Sequence, residues 1–229
     1  MESGLSEPLS VRRAVTGRRS VRRFLSQPVA RETVETILDE AARAPSGTNT
    51  QPWGVHVVSG AARDRLVEAV VAAAQAGEHS QEYKYSPDEW FEPYLGRRRK
   101  VGYDLYGLLG IDRKDFDGRK AQHIRNFMLF DAPVGLFFTM DRRLNHGSWL
   151  DMGMFLQNVM LLARAHGLET CPQASWLGHG DVVHRELGIP DDHVMVSGMA
   201  LGYPDPGAPE NTLRTERVPA ADFTTFHTE

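Results

Sequence analysis

Residues 18–24 read RRSVRRF, four arginines and a serine in seven positions of a chain whose formal net charge is −4. A guanidinium presents planar, paired N–H donors that match phosphate oxygens, and the Ser20 hydroxyl adds a donor suited to closing a phosphate cradle. Capture of a small phosphorylated ligand fits this spacing; a solvated basic loop would use the same residue types. Residues 44–53, APSGTNTQPW, form a second polar group. Asn49 and Gln51 each carry a donor and an acceptor, which suits a heterocycle edge with alternating N–H and C=O groups, such as a flavin pyrimidine. Ser, Gly, Thr and Asn also build turns for their own backbone reasons.

Other chemistries find less support. The nine histidines show no HExxH or similar ligand spacing, so no metal is expected. Cys171 is the single cysteine and has no evident base beside it in sequence; it reads as a packing residue. It cannot form an internal disulfide, which fits a reducing compartment, and the expected location is the cytoplasm. The acidic balance gives no footprint for nucleic acid. Neither GxGxxG nor GxxxxGK occurs, so Rossmann and P-loop sites are unsupported. The apolar runs near Val70 and Phe155 fall short of about 20 residues, so no membrane span is expected. SVRRFLS resembles a twin-arginine export signal only until the charged, periodic QPVARETVETILDEAARAP follows it.

The elements that must hold these groups can be sketched from pattern. A short helix over residues 8–15 ends at Gly17, which leaves the arginines on a loop or strand start. Over residues 30–43, Val34, Ile37, Leu38 and Ala41 recur at helical spacing opposite charged positions, and Pro45 and Gly47 break the helix. WGVHVVSG reads as a strand, residues 61–76 as a second amphipathic helix, APVGLFFTMD as a buried strand and HVMVSGMALGY as a last strand. Residues 149–165 are apolar on nearly every side, which calls for a helix buried all round or packed on a second subunit. Residues 77–119 mix aromatics, charges and turn residues without clean periodicity and read as an inserted lid. From residue 204 a proline-rich, polar tail is expected to run extended. The whole chain, residues 1–229, reads as a single α+β domain with a mixed, mainly antiparallel sheet flanked by helices.

RRSVRRF followed after one helix by APSGTNTQPW resembles the paired N-terminal signature of the FMN-dependent nitroreductase family. APVGLFF, the buried helix ending in HGLETCPQASW, VSGMALGYPD and the closing RTERVP are similar to that family in the same order. The resemblance implies an intertwined homodimer with FMN sites at the subunit interface. It implies that Arg18, Arg19, Ser20 and Arg22 lie around the FMN phosphate, ribityl chain and pyrimidine edge, with Arg23 facing solvent. It places Pro45, Ser46, Gly47, Asn49 and Gln51 on the partner's flavin, and Pro172, Gln173, Ala174 and Ser175 beside the ring system. Arg217, and secondarily Arg214, match C-terminal phosphate ligands.

The implied chemistry occurs on flavin N5 without a catalytic side chain: NADPH or NADH reduces FMN, leaves, and a nitroaromatic compound or quinone takes the electrons in a ping-pong cycle. Reductive dehalogenation, enoate or dehydroamino acid redox, and a non-catalytic FMN-binding module are the alternatives. Within the lid, Trp90, Tyr94 and Arg98 are the substrate candidates, the rings for stacking and the guanidinium for a carboxylate or phenolate. A solvated helix face with core aromatics would read the same way.

Overall fold

The computed structural model describes residues 9–228. Four strands, β1 (Gly54–Ser59), β2 (Val134–Asp141), β3 (Glu169–Gln173) and β4 (His193–Gly202), form one sheet in the order β1-β2-β4-β3. All three pairings are antiparallel, with Val57 opposite Leu136, Leu136 opposite Met199 and Cys171 opposite Ala200. The parallel component is a single bridge between Ser20 and Thr170.

Both faces of the sheet are covered, which explains why β2 is apolar at nearly every position. Leu136, Phe138 and Met140 point to one cluster with Val34 and Ile37 of α2 (Arg31–Ala41) and Phe155 and Val159 of α6 (His146–Ala165). Phe137 points to the other, with Leu66 and Val70 of α3 (Gly60–Ala76) and Val182 and Val183 of α7 (Gly180–Leu187). Gly198 of β4 lets Trp176 lie directly on the strand, since a Cβ there would stand 2.6 Å from the indole Cδ1.

Several expectations are corrected. The first helix, α1 (Val11–Gly17), starts three residues later than expected, where Ser10 Oγ accepts from Arg13 N–H at 3.3 Å; Pro8 lies outside the described residues. The buried helix ends at Ala165 as expected, but an unforeseen strand follows it: Gly167, at φ +72°, turns the chain and Glu169–Gln173 becomes an edge strand, where Pro172 is tolerated. Nor is α6 buried all round, because Leu150 is 72% exposed and Met154 39%. The lid contains two helices, α4 (Tyr94–Leu108) and α5 (Phe116–Ile124), and α4 buries no residue. Glu82, buried at the lid's root, accepts from Met195 N–H and Arg142 at 2.8 Å each. The tail is not simply extended: a 3-10 turn, Pro209–Thr212, buries Glu210 and Asn211, and a second, Ala220–Asp222, follows.

Candidate functional site

The arginine stretch leaves α1 in extended conformation, Arg18 sitting at φ −61°, ψ 135°. Val21 and Phe24 are its anchors, 0% and 3% exposed, and Val21 N–H donates to Thr170 O at 3.0 Å. With those two turned into the core, the polar residues around them face outward. They meet the C-terminal segment in a cleft of about 580 Å³ whose walls include Arg18, Arg19, Ser20, Arg22, Arg214 and Arg217. No acidic residue lines it.

Asn211 joins the two ends of the chain. Its Oδ1 accepts Arg22 N–H at 2.9 Å, its Nδ2 donates to Arg23 O and Asp205 O at 2.8 and 2.9 Å, and its carbonyl accepts from Arg19 Nε and Arg214 Nη1, each at 3.1 Å. Behind the cleft, buried Glu169 pairs with Arg164 at 3.1 Å and faces Arg19 at 3.6 Å. Burial pushes the Glu169 pKa up against the pull of both arginines. Burial also lowers that of Arg19, opposed by Glu169 and reinforced by Arg214 and Arg164. Crowded guanidiniums with one shielded acid behind them make a strongly positive pocket.

Arg23 departs from its expected solvent position. It pairs with Glu210 at 3.2 Å and Asp131 at 3.3 Å, and so helps to staple the arginine stretch to the tail. Gln173 departs as well: its Nε2 donates to Asn126 O at 2.6 Å and its Oε1 accepts from Trp176 at 3.3 Å, which spends the side chain inside the protein. Beside it Pro172, Ala174 and Ser175 are half-buried, and Ser175 Oγ is buried without a hydrogen-bond partner.

Pro45, Ser46, Gly47, Asn49 and Gln51 do not line the arginine cleft. Their loop is held at the other end of α6, where buried Asp151 accepts Gly47 N–H at 3.2 Å, and Gln51 N–H donates to Ser46 Oγ at 3.0 Å. Thr48, Asn49 and Gln51 all have positive φ, a strain that sites and tight loops retain. In the lid, Arg98 lies over the Trp90 ring at 5.2 Å and Tyr94 packs edge-on to Phe91. Trp90 and Tyr94 line neither the arginine cleft nor a second cleft beneath the lid, whereas Arg98 lines the latter. Gln157 of α6 also lines the arginine cleft and was missed; its one signal is that a polar residue interrupts the apolar run MFLQNVM.

Cys171 is 3% exposed, and burial pushes its pKa up to about 11. Among the described residues no helix is long and apolar enough to cross a membrane, and no group of His, Cys, Asp and Glu is arranged to hold a metal ion.

An antiparallel sheet sandwiched between helices carries arginines from both chain ends around one acid-free cleft, whose donors and charge are of the kind that suits a small phosphorylated ligand. A family model described as the nitroreductase family matches residues 15–203, and the chain belongs to that family. It is 44% identical over 214 residues to a nitrobenzene nitroreductase of Ectopseudomonas oleovorans, covering 93% of this chain and 94% of that one. It is 42% identical over 212 residues to a 4-nitrobenzoate reductase of Pseudomonas putida, covering 93% of each. The crystal structure of an FMN- and NADPH-dependent nitroreductase, NfnB, from a Sphingopyxis strain superposes with a TM-score of 0.94 at 41% identity, covering 96% of this chain and 100% of the other.

Proposed function

We propose that this protein is an FMN-dependent oxidoreductase that uses NADPH or NADH to reduce nitroaromatic compounds or quinones in two-electron steps by a ping-pong cycle. The observation that carries the reading is the acid-free cleft between Arg18–Ser20–Arg22 and Arg214–Arg217, which has the charge and donors that the FMN phosphate demands. When bound, FMN supplies the centre that takes a hydride from the donor and passes it to the acceptor.

The chain's own residues bind and orient. Arg18, Arg19, Ser20, Arg214 and Arg217 hold the phosphate, and Asn211 fixes the separation of the two groups. The positive charge of Arg22 favours the anionic, reduced ring. Pro172, Ala174 and Ser175 border the ring system, while Gln173 acts as a strut between Trp176 and Asn126. No side chain is needed as a catalytic acid or base on the ring.

The protein works as a homodimer in this reading, as a single cytoplasmic FMN-binding domain per subunit. Its support is the exposed Leu150 and Met154 on α6, together with a strained 45–51 loop standing clear of its own cleft. Pro45, Ser46, Gly47, Asn49 and Gln51 then serve the partner's flavin, and Trp90 and Tyr94 wall a small aromatic acceptor across the same interface. Initial rates at several fixed donor concentrations test the cycle. Parallel double-reciprocal lines are expected; intersecting lines mean a ternary complex and overturn it.

A further inference from the structure

The lid helices enclose a second cleft, about 540 Å³, that shares Arg22 with the first. Arg98, Arg99, Arg113 and Arg119 complete its cationic wall, against one acid, Asp112. That acid is already engaged, since its Oδ1 accepts Lys114 N–H at 2.9 Å. Among the described residues none of the four lid arginines forms an ion pair, whereas Lys100, on α4 with Arg98 and Arg99, pairs with Asp104 at 2.8 Å and Glu216 at 3.5 Å. Arg113 lies over the Tyr103 ring at 5.7 Å and Arg119 over the Tyr106 ring at 5.3 Å. Arg119 Nη1 donates to Arg113 O at 3.4 Å, and the other N–H donors of these two ring-steadied guanidiniums are left for another partner.

Arg98, Arg99 and Arg113 are exposed and Arg119 is half-buried, so water solvates this charge in the free protein, and an anionic ligand in the cleft would meet several guanidiniums at once. One carboxylate on an aromatic acceptor would occupy one guanidinium fork and leave the others repelling each other. A nicotinamide dinucleotide brings a pyrophosphate, and its 2′-phosphorylated form adds about −1.5 to −2 more charge. Adjacency through Arg22 sets such a ligand beside the site proposed for FMN.

We infer that the lid cleft receives the phosphate-bearing end of the nicotinamide donor, and that Arg98, Arg113 and Arg119 select NADPH over NADH. This rests on the donor half of the proposed function. The lid is thereby the donor's anchor, and the acceptor uses the flavin face after the donor has left.

The test is calorimetric titration of the FMN-loaded protein, and of its Arg113→Ala and Arg119→Ala variants, with adenosine 2′,5′-bisphosphate and with adenosine 5′-monophosphate. The bisphosphate is expected to bind at least about tenfold more tightly, and each variant to lose most of that preference with FMN content unchanged. In steady state the variants should raise KM for NADPH about tenfold while KM for NADH changes less than about threefold. Equal binding of the two nucleotides by the wild type, or unaltered preference in both variants, overturns the inference. A loss of discrimination between 4-nitrobenzoate and nitrobenzene, with the nucleotide preference intact, overturns it in favour of an acceptor-carboxylate site. Failure of any nicotinamide donor to bleach bound FMN would defeat the proposed function instead, and the bisphosphate titration would still report on the cleft.

Discussion

Asn211 Oδ1 accepts the backbone N–H of Arg22 at 2.9 Å across 189 positions of sequence. The same side chain donates to Arg23 O and Asp205 O, and the Asn211 carbonyl receives Arg19 and Arg214. With the residue 5% exposed, these bonds are made out of water, where an unmade partner is costly. The spacing of the guanidiniums is therefore set by a residue that the cleft itself does not expose.

Replacing Asn211 by Leu leaves Arg22 N–H without a partner, while Arg23 O keeps the Asp205 N–H at 3.0 Å and Asp205 O keeps the Ala208 N–H at 3.4 Å. A loss of about 1–3 kcal/mol in urea unfolding is expected for the one buried donor left unsatisfied. FMN affinity should fall about tenfold with it, read by flavin fluorescence. Unchanged affinity in a folded variant would show that Asn211 holds the fold and not the cleft.

Arg214→Ala and Arg18→Ala remove donors assigned to the phosphate. Each should weaken FMN binding by roughly tenfold or more, the worth of about 1.5–3 kcal/mol for a charge-assisted bond. Riboflavin, which lacks the phosphate, should bind both variants as it binds the wild type. Parallel losses for the two flavins would move these arginines away from the phosphate.

Gly198→Ala puts a methyl against the Trp176 ring on one side of the sheet. The strand and the indole are both packed, so strain of about 1–3 kcal/mol is expected, seen as a lower Tm. A variant as stable as the wild type would mean that Trp176 moves away at little cost.

Cys171, with its pKa pushed up to about 11 by burial, should hardly react with a disulfide reagent at pH 8 in the native protein. One equivalent should react once the chain is denatured. Fast native labelling would show that β3 opens readily.

Much of the frame is readable from pattern. Val34, Ile37 and Ala41 recur on one face of α2 and are buried there, and the apolar run of β2 is what a strand covered on both sides requires. Strand β3 escapes that logic: Glu169, Thr170 and Pro172 form a short edge strand, paired on one side to β4, where propensity says little. The lid helices hide because Tyr94 and Tyr103 stay exposed and leave no apolar stripe to detect. At the site, residue type marks the arginines, but the roles of Asn211, Gln157 and Arg23 come from contacts with distant elements. No local spacing encodes them.

The proposed function requires that the arginine cleft hold FMN and that donor and acceptor use the flavin in turn. The most direct measurement is the visible spectrum of the purified, FMN-loaded protein under anaerobic conditions, on addition of NADPH and then of 4-nitrobenzoate or nitrobenzene. The flavin bands are expected to bleach with the donor and return with the nitroaromatic, each half-reaction completing in the absence of the other substrate. Protein that takes up no FMN, or that bleaches and fails to recover with any nitroaromatic or quinone, would contradict it.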